Sequence, residues 1–175
     1  AASALILARG GADEVREKGR ADLVTAVDEA AERAIARVVR ARFPDDRIVG
    51  EELSSEPVHA GRRWYVDPID GTTNFVHGHP FVCVSIGFAD GDGPAAAVVQ
   101  APLLGETFHA TRGGGAFVDD RPMRVTDTDD PARALLATGF PFKTGKGNLD
   151  AYMLLVADAV RGTHDVRRAG SAALD

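Results

Sequence analysis

Apolar residues recur with a helical period in the first quarter of the chain. Val27, Ala31, Ala34, Ile35, Val38 and Val39 fall at i, i+3/i+4 and i+7/i+8 spacing, opposite Glu32, Arg33, Arg37 and Arg40. This predicts an amphipathic helix over 26–42. Thr25 stands three residues before Asp28, so a hydroxyl can cap that helix while a carboxylate sits in its first turn. Phe43-Pro44 closes it. Residues 1–8 also read as helical, with Gly10-Gly11 as a break. After Pro44 the texture changes to short β-like runs at 47–50, 63–67, 82–88, 95–100, 106–111 and 135–138, bounded by turn residues and read as strands. Asp90-Gly91-Asp92-Gly93-Pro94 is hairpin chemistry, since Gly supplies positive φ and Asp tolerates it, so successive strands there are expected to run antiparallel. Asn148 can cap a helix running through Tyr152, Leu155, Val156 and Ala159, and 164–167 can add one more strand. A helical start, a strand-rich middle and a mixed end imply packed α and β layers, with one domain over 1–175.

Composition narrows the class. The 175 residues are 45% hydrophobic, with 20 Lys plus Arg against 26 Asp plus Glu and a net charge of −6. Such a chain can bury a core without staples, and the single Cys83 forms no intrachain disulfide. The acidic balance argues against nucleic acid or an anionic membrane as partner. No apolar run approaches the roughly 18 residues of a membrane helix, and residues 1–8 lack a basic flank before them, so a cytoplasmic enzyme or binding domain is expected. The chain starts without Met, and 170–175 read as the start of a helix that then stops, so both ends are expected to be cut.

The unusual stretch is Trp64-Tyr65-Val66-Asp67-Pro68-Ile69-Asp70-Gly71-Thr72-Thr73-Asn74-Phe75. A strand delivers Asp67, Pro68 bends the chain, and Asp70 follows beside a Gly and two hydroxyl residues. Two carboxylates so placed can converge on a hard cation, with the Ile69 carbonyl as a further oxygen ligand. Gly71 and Thr72 can offer backbone N–H groups to a phosphate, particularly if a helix starts there. Taken alone, the stretch also fits an ordinary turn with Asp67 as an Asx cap. Its company favours a metal site: Gly50-Glu51-Glu52 ends another strand, and Asp28 sits in the first turn of a capped helix.

Asp67-Pro68-Ile69-Asp70-Gly71-Thr72-Thr73-Asn74-Phe75 resembles the signature of the inositol monophosphatase family of Mg²⁺-dependent, Li⁺-sensitive phosphatases. The resemblance extends through Lys18, Asp22-Leu23-Val24-Thr25 with Asp28, Gly50-Glu51-Glu52, Val84-Ser85-Ile86-Gly87 and Gly170-Ser171-Ala172-Ala173. It implies a layered α/β sandwich (αβαβα) of mostly antiparallel sheets, shared with fructose 1,6-bisphosphatases, with the C-terminal part of that fold missing from this chain. It further implies that Glu51, Asp67 and the Ile69 carbonyl hold one Mg²⁺, that Asp67 and Asp70 hold a second, and that Glu51 helps with a weaker third. Thr72 and Asp28 would orient or deprotonate the attacking water. Gly71 and Thr72 would hold the phosphate, Asp70 and Ala172 would contact the alcohol, and Lys18 would lie on a mobile loop near the metals.

The implied reaction is hydrolysis of a small phosphate monoester, myo-inositol 1-phosphate first, by a homodimer. Histidinol phosphate, fructose 1,6-bisphosphate or a 3′-phosphonucleotide are sister substrates, and Thr73, where histidinol-phosphate relatives often carry Lys, favours the inositol type. A metal-binding or protein-interaction module without turnover is the alternative of another class. One departure stands out: the family's later W-D-x-A-A-G segment, with a further Asp for the second metal and a nearby acidic residue for the alcohol, has no counterpart here.

Other features carry less. His77 and His79 lack the three or more protein ligands expected of zinc and read as turn residues. Gly139 to Lys146 misses the P-loop spacing, and Gly113-Gly114-Gly115 opens no helical pattern, so it reads as a turn between strands. Cys83 reads as a buried small hydrophobe. Arg167 and Arg168 fit a solvated face or an ion pair, with contact to a substrate anion as the alternative.

Overall fold

The computed structural model describes residues 1–9, 15–19, 22–52, 61–140 and 148–175. Gly10-Gly11 and most of 139–146 lie outside the described residues. Helix α1 (Ala2–Arg9) leads to the antiparallel pair β1 (Val15–Gly19) and β2 (Asp22–Thr25), then helix α2 (Ala26–Arg42). Strands β3 (Arg47–Gly50) and β4 (Arg63–Asp70) precede a short helix, α3 (Thr72–Val76). Next come β5 (Cys83–Asp90), β6 (Gly93–Ala101), β7 (Glu106–Thr111), β8 (Gly115–Val118) and β9 (Arg121–Met123). A 3₁₀ turn (Pro131–Arg133), β10 (Leu135–Ala137), helix α4 (Leu149–Gly162) and β11 (Asp165–Arg167) complete the order. Strands β3 to β9 form one seven-stranded sheet in sequence order, antiparallel except for the parallel β3–β4 pair, and β10 pairs with β11 in parallel. The chain is thus an α/β sandwich whose main sheet is mostly antiparallel and flanked by helices.

Local chemistry explains most of these boundaries. The Thr25 hydroxyl accepts from Val27 N at 3.2 Å and Asp28 N at 3.3 Å, and Asp28 Oδ2 accepts from Thr25 N at 2.8 Å, a capping box that starts α2. Asn148 Oδ1 does the same for α4 through Ala151 N at 3.0 Å. Asp90 pairs directly with Gly93, leaving Gly91-Asp92 as a two-residue hairpin loop.

One face of the main sheet carries the core. Val66, Ile69, Val82 and Val84 meet Ala2 and Ile6 of α1 and Val27, Ala31, Ile35 and Val39 of α2, with Phe75 closing the cluster. Each Val or Ile among them contributes about 1.5–3 kcal/mol on full burial, which holds the two helices in fixed relation to β4.

Strand β4 corrects the expectation that the chain leaves the sheet at Asp67. It runs on to Asp70: Asp67 pairs with Ser85 and Asp70 with Cys83, so β4 carries one extra residue, a β-bulge. Pro68 sits inside it, buried, and a bulge is where a residue without an N–H can remain in a sheet. Glu32 is a second correction. The helical period assigned it to the polar face of α2, yet it is only 2% exposed.

Ile6 is fully buried between α1 and the core, so Ile6→Ala is expected to cost about 2–5 kcal/mol, read as a lowered urea midpoint with an unchanged slope.

Candidate metal and phosphate site

The bulge turns the end of β4 into a platform. Glu51, Asp67, Ile69, Asp70, Gly71, Thr72 and Thr73 line a cavity of about 600 Å³ together with Thr138, Gly139, Phe140, Arg168, Gly170 and Ala172. Glu51 arrives from the end of β3, where its N–H bonds the Val66 carbonyl at 3.2 Å and sets it beside Asp67. Gly71 makes the sharp step from β4 into α3 at φ 94°, a conformation that favours glycine. A Cβ there would also stand 3.0 Å from the Phe81 carbonyl.

The carboxylates repel one another. Burial, then Glu51, then Asp70 push the Asp67 carboxyl up to about 8, although the Ile69 N–H donates to Asp67 Oδ1 at 3.1 Å and pulls the other way. Asp70 is held differently. Its Oδ2 accepts from Ser171 Oγ at 2.7 Å, from Ala173 N at 2.7 Å and from Cys83 Sγ at 3.8 Å, which leaves Oδ1 outside those bonds. Among the described residues no three His, Cys, Asp or Glu side chains already form a closed metal cluster. The donor set nevertheless fits a hard cation: carboxylate oxygens and one backbone carbonyl, crowded so that a positive charge would relieve them.

Asp28 stands behind the cavity wall, 1% exposed, in the first turn of α2. Thr72 Oγ lies 3.4 Å from Asp28 Oδ1 and 3.1 Å from the Ile69 carbonyl, so its single proton goes to one or the other. Burial pushes Asp28 above the ordinary carboxylate range, against the hydrogen bonds from Thr25 and Thr72. Lys18 falls on β1, and its side chain lies outside the described residues.

Several residues help build the site without a role implied by the resemblance. The Asn74 amide donates to the carbonyls of Phe81 at 2.7 Å and Ala169 at 2.9 Å, tying α3 to the segment that presents Ala172. Ser171 is fully buried on Asp70, and its neighbour Cys83 has its thiol pushed up to about 12 by burial. Tyr152 OH accepts from the Thr138 hydroxyl and donates to the Gly139 carbonyl at 2.6 Å, so α4 steadies that part of the wall. Arg167 and Arg168 separate: Arg167 pairs with Asp165, whereas Arg168 lines the cavity, 5.6 Å over the Phe140 ring. His77 and His79 are exposed loop residues.

Comparison with known proteins gives a consistent neighbourhood. Residues 2–175 match the model of the inositol monophosphatase family. The chain is 39% identical over 170 residues to an inositol monophosphatase of Mesembryanthemum crystallinum, covering 92% of this chain and 61% of that protein. It is 32% identical over 163 residues to a fructose-1,6-bisphosphatase/inositol-1-monophosphatase of Aquifex aeolicus, covering 93% and 61%. The solved IMPase of Thermotoga maritima superposes with a TM-score of 0.88 at 34% identity, covering 99% of this chain and 65% of that one. The chain therefore spans about three fifths of the length of these curated relatives.

The crowding at Asp67 has a measurable sign. Its folded-state pKa lies above that of an unfolded aspartate, so between about pH 4 and pH 8 the folded state holds more protons and stability falls as pH rises. In EDTA the urea midpoint is expected to drop across that window, and Asp67→Asn is expected to flatten the slope.

Proposed function

Because the chain belongs to the inositol monophosphatase family, we propose that the cavity at the end of β4 binds a small phosphate monoester and hydrolyses it with Mg²⁺, myo-inositol 1-phosphate being the first substrate. The observation that carries this reading is the gathering of Glu51, Asp67, Ile69, Asp70, Gly71, Thr72 and Ala172 around one cavity, with Asp28 against Thr72. Glu51, Asp67 and the Ile69 carbonyl would hold one Mg²⁺, and Asp67 with Asp70 a second. Bound there, the cations neutralise the phosphate and lower the pKa of water at the site.

The chain's own groups supply the rest. When Thr72 donates its proton to Asp28 Oδ1, its oxygen is left as an acceptor and can orient a water in the cavity. A proton can then pass from that water to Thr72 and on to Asp28, whose burial makes it the more ready acceptor. The Gly71 and Thr72 N–H groups face the phosphate, and Ala172, presented by the turn pinned to Asp70, faces the alcohol. Ser171 and Cys83 are buried against Asp70, and attack by the water held at Thr72 would give alcohol and inorganic phosphate directly.

Arg168 favours a second reading. A cation over the Phe140 ring in the same cavity as Asp70 suits a substrate with a second anionic group, such as fructose 1,6-bisphosphate. A homodimer and a cytoplasmic location belong to the same proposal. Among the described residues no helix is long and apolar enough to cross a membrane.

Phosphate release from myo-inositol 1-phosphate, histidinol phosphate and fructose 1,6-bisphosphate, assayed side by side, tests the reading. Turnover should require Mg²⁺, be blocked by Li⁺, and fall by about 10²–10⁴-fold in Asp28→Asn. Full turnover without divalent cation, or in Asp70→Asn, would contradict it.

A further inference from the structure

We infer that Glu32 is a positioning residue of the cation site, holding Glu51 in place from the helix beneath it. This rests on the cation reading given above. Glu32 Oε2 accepts the Glu52 N–H at 2.7 Å. Its Oε1 lies only 1.8 Å from where a Cβ on residue 50 would stand, so the carboxylate fills the space a side chain would take and residue 50 is glycine for that reason. One carboxylate thus meets the residues on both sides of Glu51, while the Glu51 N–H is tied to Val66 of β4, next to Asp67.

The placement on α2 gives this a purpose. Glu32 follows Asp28 by four residues, one helical turn on the same face. Asp28 reaches Thr72 and Glu32 reaches the turn that carries Glu51, so one rigid helix sets both. A buried carboxylate is costly to desolvate unless it is hydrogen-bonded, a cost that an apolar residue in the same stripe would not incur. Holding the backbone around a metal-ligating carboxylate is a role that an apolar residue could not fill.

Mg²⁺ binding without substrate, followed by calorimetry on the purified protein, with thermal unfolding in EDTA beside it, tests the inference. Glu32→Ala should weaken Mg²⁺ binding by about 10–100-fold. Glu32→Gln, which keeps an acceptor for the Glu52 N–H, should stay near the parent. Gly50→Ala, which displaces the carboxylate without removing it, should reproduce the loss, and it carries the test if Glu32→Ala shows no cooperative unfolding. In a Glu51→Gln background, Glu32→Ala should add nothing further, because it acts through Glu51. Parent-like binding in both Glu32→Ala and Gly50→Ala, a loss in Glu32→Gln as large as in Glu32→Ala, or a loss that adds to that of Glu51→Gln would overturn the inference. A parent that binds no Mg²⁺ overturns the cation reading itself.

Discussion

Repulsion among Glu51, Asp67 and Asp70 is the constraint around which the rest of the molecule is arranged. The parallel β3–β4 pairing brings Glu51 beside Asp67, and the bulge at Pro68 keeps Asp70 in the same strand, one pairing step on. Burial first, and then the field of Glu51 and Asp70, push Asp67 far above its ordinary value. A fold that holds three carboxyl groups this close must fix them with specific bonds, and it does so from separate directions. Ser171 and the Ala173 N–H grip Asp70, the Ile69 N–H grips Asp67, and the Val66 carbonyl fixes the backbone of Glu51.

The apolar core serves the same end. Ile69 lies between Asp67 and Asp70 and is 1% exposed, so the strand carrying both carboxylates is anchored by a residue in the hydrophobic cluster. Val27, Ala31, Ile35 and Val39 seat α2 on that cluster, and Asp28 and Glu32 leave the same helix to meet Thr72 and the Glu52 N–H. Packing and charge are therefore coupled: a shift of α2 against β4 would move Thr72 and the Glu51 turn together.

Much of this was legible in the sequence, for physical reasons that differ by element. The Thr25 and Asn148 caps and the Asp90-Gly91-Asp92-Gly93 hairpin are local chemistry, readable from neighbouring residues, and they mark α2, α4 and the β5–β6 turn. The strands at 47–50 and 106–111 coincide with the apolar runs. What local pattern misses is set by distant partners. Proline reads as a strand end until β5 is seen to pair beyond it, which is how Asp70 remains in β4. Glu32 reads as a solvated charge because its partner, the Glu52 N–H, is 20 residues away. Ser171 carries no local signal of its role, because its bond to Asp70 spans 101 residues. Strands β1, β8 and β9 lie in polar or glycine-rich stretches without alternation, held by ladder hydrogen bonds more than by side-chain pattern. A Gly before Glu51 and a Glu four residues after Asp28 were the available signals for the buried carboxylate, and both are too short to stand out.

Whether the crowded carboxylates gather a cation decides the chemistry of the site. Anomalous diffraction from crystals soaked in Mn²⁺ addresses this directly. A peak in contact with Asp67 and Glu51, lost in Asp67→Asn, is the predicted result. Density at other carboxylates with none beside Asp67 would contradict the account.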